Sequence, residues 1–537
     1  MKEKTRYFHN MSSFGRTIET ENVGATLDVV DGNKKLAAGN EDYAGDEKSL
    51  EEFVQWAACN GLVMATPFRT VDESGESVAT RDMTHAPFAL KPYLFPIRVF
   101  ERACNLATIF NILVDKISHD EEWLAEQLES TGASDDFTGR LLRILKHVRT
   151  EGRKQTCNFG ILRSDYMLHS DEGDDREFLQ VELNTIASSF GALSTKVTEM
   201  YKTLIDTKTA DKVPSNEALE KIVHGMQCAH HEYVNQTGAW DSFVLFVVQE
   251  KERNFADQRM LEFLLRTKFK VKCMRASLGE IHARGTFSET THEFLFEGKE
   301  ISVVYYRSGY SPGDYTSEDD WDVRLRIELS RSIKCPNIAY HLTGTKKVQQ
   351  ILTEPNQLER FLSSSDCALI RQSFAGLYSL GDVSESEIIE KVVKNSSSYV
   401  LKPQREGGGN NVYGDDMVAS LKSMTTEERA AYIIMDRIKA PIQDSTLIRN
   451  GEILSCPCIC ELGIYGIFIG YDASEPVLNS EAGYLLRVKP SSSDEGGVAA
   501  GNLFKISRTC IDSLMMNKHS ACLILAGFSV LSSPLLL

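Results

Sequence analysis

Three consecutive glycines, Gly407, Gly408 and Gly409, stand a few residues beyond the apolar triplet Tyr399-Val400-Leu401. The triplet reads as the end of a strand, and the glycines free the following backbone to bring its N–H groups close to a ligand. Lys402 and Arg405 supply cations ahead of the run, and Asn410 and Asn411 supply amides after it. Glu406 is out of place beside an anion unless a cation lies between them, which makes it a candidate Mg²⁺ ligand. The glycines alone would suit any hairpin loop. Framed by Lys, Arg, Glu and two Asn, they are read as a cover for the phosphates of a nucleotide. The pattern is neither G-x-x-x-x-G-K-[ST] nor G-x-G-x-x-G, so neither P-loop nor Rossmann mechanics is implied.

An anion bound here must be held by local cations, because the chain as a whole is acidic. Its formal net charge is −17, and it has no basic stripe interleaved with aromatics, which excludes a general nucleic-acid binder. At 537 residues, 42% hydrophobic and 25% charged, it is long enough for two or three globular domains. The 12 cysteines are scattered behind a charged start, Met1-Lys2-Glu3-Lys4, with no secretory signal, so a reducing, cytoplasmic setting is expected. Cys456, Cys458 and Cys460 would share one face of a strand. Their spacing lacks the second ligand pair of a zinc site, which favours buried thiols. Residues 1–47 read as a flexible extension whose acidity disfavours a transit peptide. Residues 520–537 are apolar but broken by Gly527, Ser532, Ser533 and Pro534, and read as a packed tail rather than a membrane anchor.

Apolar spacing predicts helices over 101–116, 138–149 and 258–268, and strands over 178–183, 243–248, 269–273, 301–306 and 399–401. The β-α-β order between 239 and 342 argues for a parallel sheet, which places ligands beyond the carboxyl ends of its strands. Two polar stretches follow such ends: Gln249-Glu250-Lys251-Glu252-Arg253-Asn254 with Gln258, and Arg307-Ser308-Gly309-Tyr310. Arginine can take a carboxylate in bidentate fashion, and Asn or Gln can bond peptide groups, although either stretch alone also fits a solvated loop. A third stretch pairs Arg163-Ser164-Asp165-Tyr166 with Gln180-Val181-Glu182-Leu183-Asn184-Thr185. There Glu182 and Asn184 point the same way on a strand and could complete a Mg²⁺ shell begun by Glu406. A fourth, Arg487-Val488-Lys489, leads into the small-residue turn 495–501.

Together with Gly344-Thr345-Lys346-Lys347-Val348-Gln349-Gln350, these stretches resemble the eukaryotic-type glutathione synthetases, an ATP-grasp ligase family, over roughly residues 48–501. The resemblance implies an α/β ATP-grasp fold with a parallel-sheet substrate-binding domain and a glycine-rich lid. It divides the chain into a 48–238 amino-terminal part of the ATP-grasp domain, a 239–342 substrate-binding domain, a 343–501 carboxyl-terminal part carrying the lid and glycine loop, and a divergent 502–537 tail. It implies ATP-dependent ligation of γ-glutamylcysteine and glycine, usually in a cytoplasmic homodimer without nucleic-acid or membrane partners. Carried over by position, Glu182, Asn184 and Glu406 are Mg²⁺ ligands. The ATP contacts are Glu182, Lys346, Lys402, Glu406, Gly407, Gly408, Gly409, Asn410, Asn411, Tyr413, Met435, Asp436, Arg437, Ile438, Glu461, Lys489 and Glu495. The dipeptide contacts are Arg163, Ser189, Glu252, Arg253, Asn254, Gln258, Arg307, Ser308, Gly309, Tyr310, Arg487, Val498 and Ala499. Arg163, Arg487 and Lys402 are the expected catalytic cations.

The implied chemistry is attack of the cysteinyl carboxylate on the γ-phosphate, then displacement of phosphate from the acyl phosphate by glycine's amine. It needs positioning, electrostatics and closed loops, but no enzyme nucleophile. Two other outcomes fit the same stretches: a ligase of this fold that uses another terminal amino acid, and an ATP-binding homologue without activity. Ala187 stands where many family members have serine. Beyond Gly501 the family ends in a short apolar strand, whereas here residues 502–537 run on.

Overall fold

The computed structural model describes residues 47–66, 70, 71, 77, 78, 82–171, 173, 174, 176–381, 385–404, 410–472, 474–494, 498 and 529–537. Nearly all belong to one compact unit, Ser49–Leu537. The expected extension over 1–47 lies outside them, apart from the first residue of the helix Glu47–Cys59.

A seven-stranded sheet forms the centre, in the order Gln443–Arg449, Phe88–Ala89, Val530–Ser532, Leu478–Pro490, Glu452–Tyr471, Cys157–Leu168, Phe178–Asn184. Its longest strand, Glu452–Tyr471, shows how the sequence sets its surroundings. Exposure alternates from Cys456 to Glu461, then gives way to continuous burial through Gly470, where both faces are covered. On one face lies the helix Ile97–His119, which buries Leu106, Phe110, Leu113 and Val114 against Leu462, Ile464 and Leu486. Each such side chain stabilises the fold by about 1.5–3 kcal/mol. On the other face lie the helices Gly191–Leu204 and Ala218–Thr237, packed on Phe159, Ile467 and Leu485. Cys456, Cys458 and Cys460 are all buried, as expected for one strand face.

The last residues of the chain belong to this sheet. Val530–Ser532 pairs antiparallel with Leu478–Pro490, setting Leu531 opposite Arg487, and meets Phe88 in parallel on its other side. Pro534–Leu536 continues in parallel beside Tyr93–Phe95. Part of the 502–537 stretch therefore ends as an apolar strand paired beside the Arg487 strand.

A second, six-stranded sheet sets Lys272–Ala276, Phe243–Val247, Lys299–Tyr306 and Ile333–Cys335 side by side in parallel, as its β-α-β order predicts, and adds Phe294–Phe296 and Gly285–Phe287 antiparallel beside Lys299–Tyr306. One strand begins later than expected, at Lys272 rather than 269. Phe269 N and Val271 N both return to Leu265 O, at 3.2 and 3.1 Å, and Lys270 adopts φ 59°, so these residues close the helix Phe255–Lys268 before the strand starts. A third, antiparallel sheet consists of Leu377–Ser379, Tyr432–Asp436 and Tyr399–Pro403. One of its faces packs Leu401 and Ile434 under the helices Glu385–Lys394 and Gly414–Ser423. The other turns Val400 and Met435 toward Leu179 on the edge of the central sheet. No helix among the described residues is long and apolar enough to cross a membrane.

Candidate active site

The register of the central sheet collects the charged stretches on one face. Asn184 lies opposite Arg163 and Glu182 opposite Asp165. On the next strand Tyr465 faces Arg163 and Gly463 faces Asp165, and beyond it Arg487 is paired with Glu461. Because side chains two apart on a strand share a face, Glu182, Asn184, Arg163, Asp165, Glu461, Arg487 and Lys489 are neighbours although they span some 300 residues of sequence.

Buried charges must be paired, and these are. Asp165, fully buried, accepts both arms of the Arg163 guanidinium, Nε at 2.6 Å and Nη2 at 2.8 Å. It also accepts Arg487 Nη2 at 2.9 Å and Asn184 Nδ2 at 3.0 Å. Arg487 additionally bonds Glu461. Glu182 lies 3.0 Å from Lys346 Nζ. Burial works against its charge, but Lys346, then Lys402 and Arg487, hold its carboxyl well below the usual carboxylate range. Lys402 reaches across from the third sheet to donate to Val181 O at 2.9 Å. Lys346 is held in place by its own helix, Lys346–Leu352, whose Gln349 clasps Leu183 N at 3.1 Å and Leu183 O at 3.3 Å. Among the described residues Arg163, Arg487, Lys346 and Lys402 thus outnumber Asp165, Glu182 and Glu461, a surplus of positive charge suited to a polyphosphate.

The two loops after the parallel strands meet, because Phe243–Val247 and Lys299–Tyr306 are adjacent. Glu252 accepts Asn254 N at 2.7 Å and Gln258 Nε2 at 2.5 Å, while Gln258 Oε1 accepts Arg275 at 2.8 Å. Asn254 is buried, yet neither end of its amide has a partner among the described residues. Leaving such a group unpaired costs about 1–3 kcal/mol, which points to a ligand that satisfies it. Arg307 is also buried. It donates to Ala187 O at 3.1 Å and lies 3.6 Å from Asp257, which in turn caps the helix Gly191–Leu204 through Phe190 N and Ala192 N, both at 2.9 Å. The residues between, which carry Ser189, are strained: Ala187 has φ 52° and Phe190 φ 72°. Ser189 O accepts from Arg163 at 3.3 Å and from Tyr465 Oη, joining this loop to the sheet face. The alanine at 187 leaves the arginine contact intact, since Arg307 uses its carbonyl. Ser308, Tyr310 and Gln249 are gathered by Asp314, whose carboxylate accepts Gln249 Nε2 at 2.7 Å, Ser308 Oγ at 3.2 Å and Tyr310 N at 3.2 Å. Tyr315 Oη, at 3.2 Å, donates to the carbonyl of Gly309, whose φ of 93° favours glycine. Burial lowers the Arg253 pKa, and its carbonyl accepts Ala65 N at 3.0 Å.

On the third sheet Met435 lies with Leu179, Ala375 and Val400 in an apolar floor edged by Tyr413 and Ile438. Asp436 is turned to the opposite face, where its carboxyl accepts Tyr378 Oη at 3.4 Å and burial raises its pKa. Its backbone N–H donates to Gly376 O at 2.8 Å. Asp494 gathers the polar rim: Arg437 donates to its carboxylate at 2.5 Å, and its carbonyl accepts Lys489 Nζ at 2.7 Å and Tyr413 Oη at 3.4 Å. Asn411 donates to Tyr413 Oη at 3.3 Å, and Asn410 is exposed. Val498 is buried. Glu406, Gly407, Gly408, Gly409, Glu495 and Ala499 lie outside the described residues.

Asp165, Asp257, Asp314, Gln349 and Asp494 had been given no role from sequence. Only Asp165 carried a usable signal, its i, i+2 spacing from Arg163. A cavity of about 500 Å³ beside Phe137, Tyr315 and Trp321 is lined by none of the residues expected to contact ATP, metal or dipeptide, and its Arg140 is already paired with Asp136 and Glu318.

A small antiparallel sheet facing the edge of a large one, with lysines reaching between them, is the two-sheet clamp of an ATP-grasp protein. Residues 45–516 match the family described as eukaryotic glutathione synthase, ATP binding domain. The chain is 41% identical to a glutathione synthetase of Dictyostelium discoideum over 466 residues, covering 84% of this chain and 96% of that protein. It is 39% identical to that of Homo sapiens (85% and 96% covered) and 42% identical to a chloroplastic glutathione synthetase of Solanum lycopersicum (85% and 82%). The fold is shared with a glutathione synthetase-like effector of Globodera pallida, at TM-score 0.68 and 19% identity, covering 91% of this chain and 96% of that one. The chain belongs to the eukaryotic glutathione synthase family.

Proposed function

We propose that this protein joins γ-glutamylcysteine to glycine at the expense of ATP, giving glutathione, ADP and phosphate. The observation that carries the reading is the single sheet face on which Glu182 and Asn184, flanked by Lys346 and Lys402, lie beside the arginine pair Arg163 and Arg487. Family membership supplies the substrates. The floor of Met435, Val400 and Leu179 takes the adenine. Lys346 and Lys402 take the phosphates, with Asn410, Asn411, Tyr413, Arg437 and Lys489 at the rim. The parallel-sheet loops, with Asn254 and Arg307, take the dipeptide, so residues 239–342 act as its domain.

Glu182 and the Oδ1 of Asn184 are hard oxygens side by side, the donor type Mg²⁺ prefers, and Glu406 completes the proposed set. Bound there, Mg²⁺ would neutralise charge on the transferred phosphoryl group. The chain's own residues do the rest. Arg163 and Arg487 orient the reacting carboxylate, whose oxygen bonds to the γ-phosphorus as ADP leaves. Lys346 and Lys402 stabilise the charge on the phosphoryl oxygens. Glycine's amine then attacks the acyl carbon, and phosphate departs with the carboxylate oxygen. The enzyme works as a cytosolic homodimer in this reading.

The test is ADP release by purified protein with Mg·ATP and γ-glutamylcysteine, with and without glycine. Glycine-dependent release matched one for one by glutathione is expected. Equal release with alanine or serine would make it a ligase of broader specificity, and ATP binding without turnover would make it an inactive homologue.

A further inference from the structure

The fully buried carboxylate of Asp165 touches three of the groups to which the reaction is assigned, and it makes none of the contacts expected with substrate. We propose that Asp165 is a positioning residue that aims Arg163 and Arg487 and sets which end of the Asn184 amide faces the metal; the inference rests on the site assignments above. Three observations carry it. Asp165 holds Arg163 in bidentate fashion, a geometry that fixes the plane of the guanidinium as well as its place. It bonds Arg487 through Oδ2, so one carboxylate bridges two cations that would otherwise repel each other in a buried setting. The same Oδ2 accepts from Asn184, whose amide also faces Arg163 O at 3.2 Å.

The last contact decides the orientation of Asn184. A carboxylate and a carbonyl only accept, so the atom facing both must be Nδ2. Oδ1 is thereby turned the other way, and it accepts no hydrogen bond from a described residue. Without the carboxylate the amide is oriented only by Arg163 O at 3.2 Å, and a reversed amide would present an N–H to the cation, which cannot coordinate it. The neighbouring strand seals the arrangement at Gly463. A Cβ there would lie 2.6 Å from Asp165 Oδ1 and 2.8 Å from Arg163 Cδ, so only glycine lets the pair sit where it does.

Asp165→Asn keeps the shape but removes the negative charge and turns one of the two acceptor oxygens into a donor, so it can no longer accept from Arg163, Arg487 and Asn184 together. Calorimetry should show γ-glutamylcysteine bound at least 30-fold more weakly, and the ratio of ADP affinities with and without Mg²⁺ should fall at least tenfold. Asn184→Ala should lower that ratio too, and adding Asp165→Asn to it should lower it no further, because the aspartate acts through the asparagine. A purely structural role would move thermal stability alone. Should Asp165→Asn fail to fold, Gly463→Ala displaces the pair with the native residues in place and should give the same two losses. Wild-type values for both readouts in whichever variant folds, or additive losses on Asn184→Ala, would overturn the proposal. A wild-type protein that binds Mg·ADP but not γ-glutamylcysteine would instead refute the substrate assignment and leave the metal arm intact as the test of Asp165.

Discussion

Glu182 is surrounded by Lys346, Lys402 and Arg487, so it is the anion that keeps three cations together, and it is also the proposed metal ligand. Glu182→Gln removes both roles. Turnover is expected to fall at least 100-fold, with secondary structure retained by circular dichroism; a loss under threefold would remove Glu182 from the metal set. Residue types and two-residue spacings were legible here: Glu182 with Asn184, Arg487 with Lys489, and the paired loops at 249–254 and 307–310. The carboxylates that organise them were not. Asp257 holds a helix 65 residues upstream, and Asp165 bonds an arginine 322 residues away, contacts that exist only once the sheet register is set. Asp436 shows the converse: position alone assigned it to the adenosine, and strand alternation turns its carboxyl to the far face.

At the scale of elements, the short 3₁₀ turn Pro312–Asp314 ties the loop after Val247 to the loop after Tyr306, the two loops proposed to take the dipeptide. Asp314→Ala frees Gln249, Ser308 and the Tyr310 amide together, so KM for γ-glutamylcysteine should rise about tenfold or more while KM for ATP stays within twofold. Equal changes in both constants would show that the turn supports the fold in general. Strand Val530–Ser532 is the other informative element. Leu531 is completely buried between the strands of Arg487 and Phe88, and Leu531→Asp would bury an unpaired charge there. Destabilisation by at least about 3 kcal/mol is expected in denaturant unfolding. A change below 1 kcal/mol would mean this strand contributes little to the sheet. Apolar composition predicted that the end of the chain packs, but no local pattern could reveal that it enters between Leu478–Pro490 and Phe88–Ala89, because its partners lie hundreds of residues earlier and tens of residues before. The strand expected over 269–273 shifted for a local reason that apolar spacing does not carry, the left-handed Lys270 that ends the preceding helix.

For the molecule as a whole, buried histidines are one source of lost stability in acid. Burial, with His231 nearby, pushes His230 down to about 4, and burial also lowers His85 and His341. Below the unfolded value near 6.5 the unfolded chain takes up protons that the folded chain refuses, so stability falls as pH drops from 6.5 toward 4. His230 accounts for at most about 3 kcal/mol of that fall. His230→Asn, which can keep the 2.8 Å bond to Ser302, should flatten this part of the profile in pH-dependent urea unfolding; an unchanged slope would place the effect elsewhere. The α/β class and the parallel order of the second sheet followed from periodicity. How three sheets close on one face did not, since that depends on long-range pairing.

If this face activates a carboxylate by phosphorylating it, one oxygen of that carboxylate must leave with the phosphate, and isotope transfer reads that step. γ-Glutamylcysteine carrying ¹⁸O in its cysteinyl carboxylate would be turned over with Mg·ATP and glycine, and the released phosphate analysed by mass spectrometry. One ¹⁸O in each phosphate is the predicted result. Phosphate without the label, alongside glutathione formation, would contradict an acyl phosphate and the account built on it.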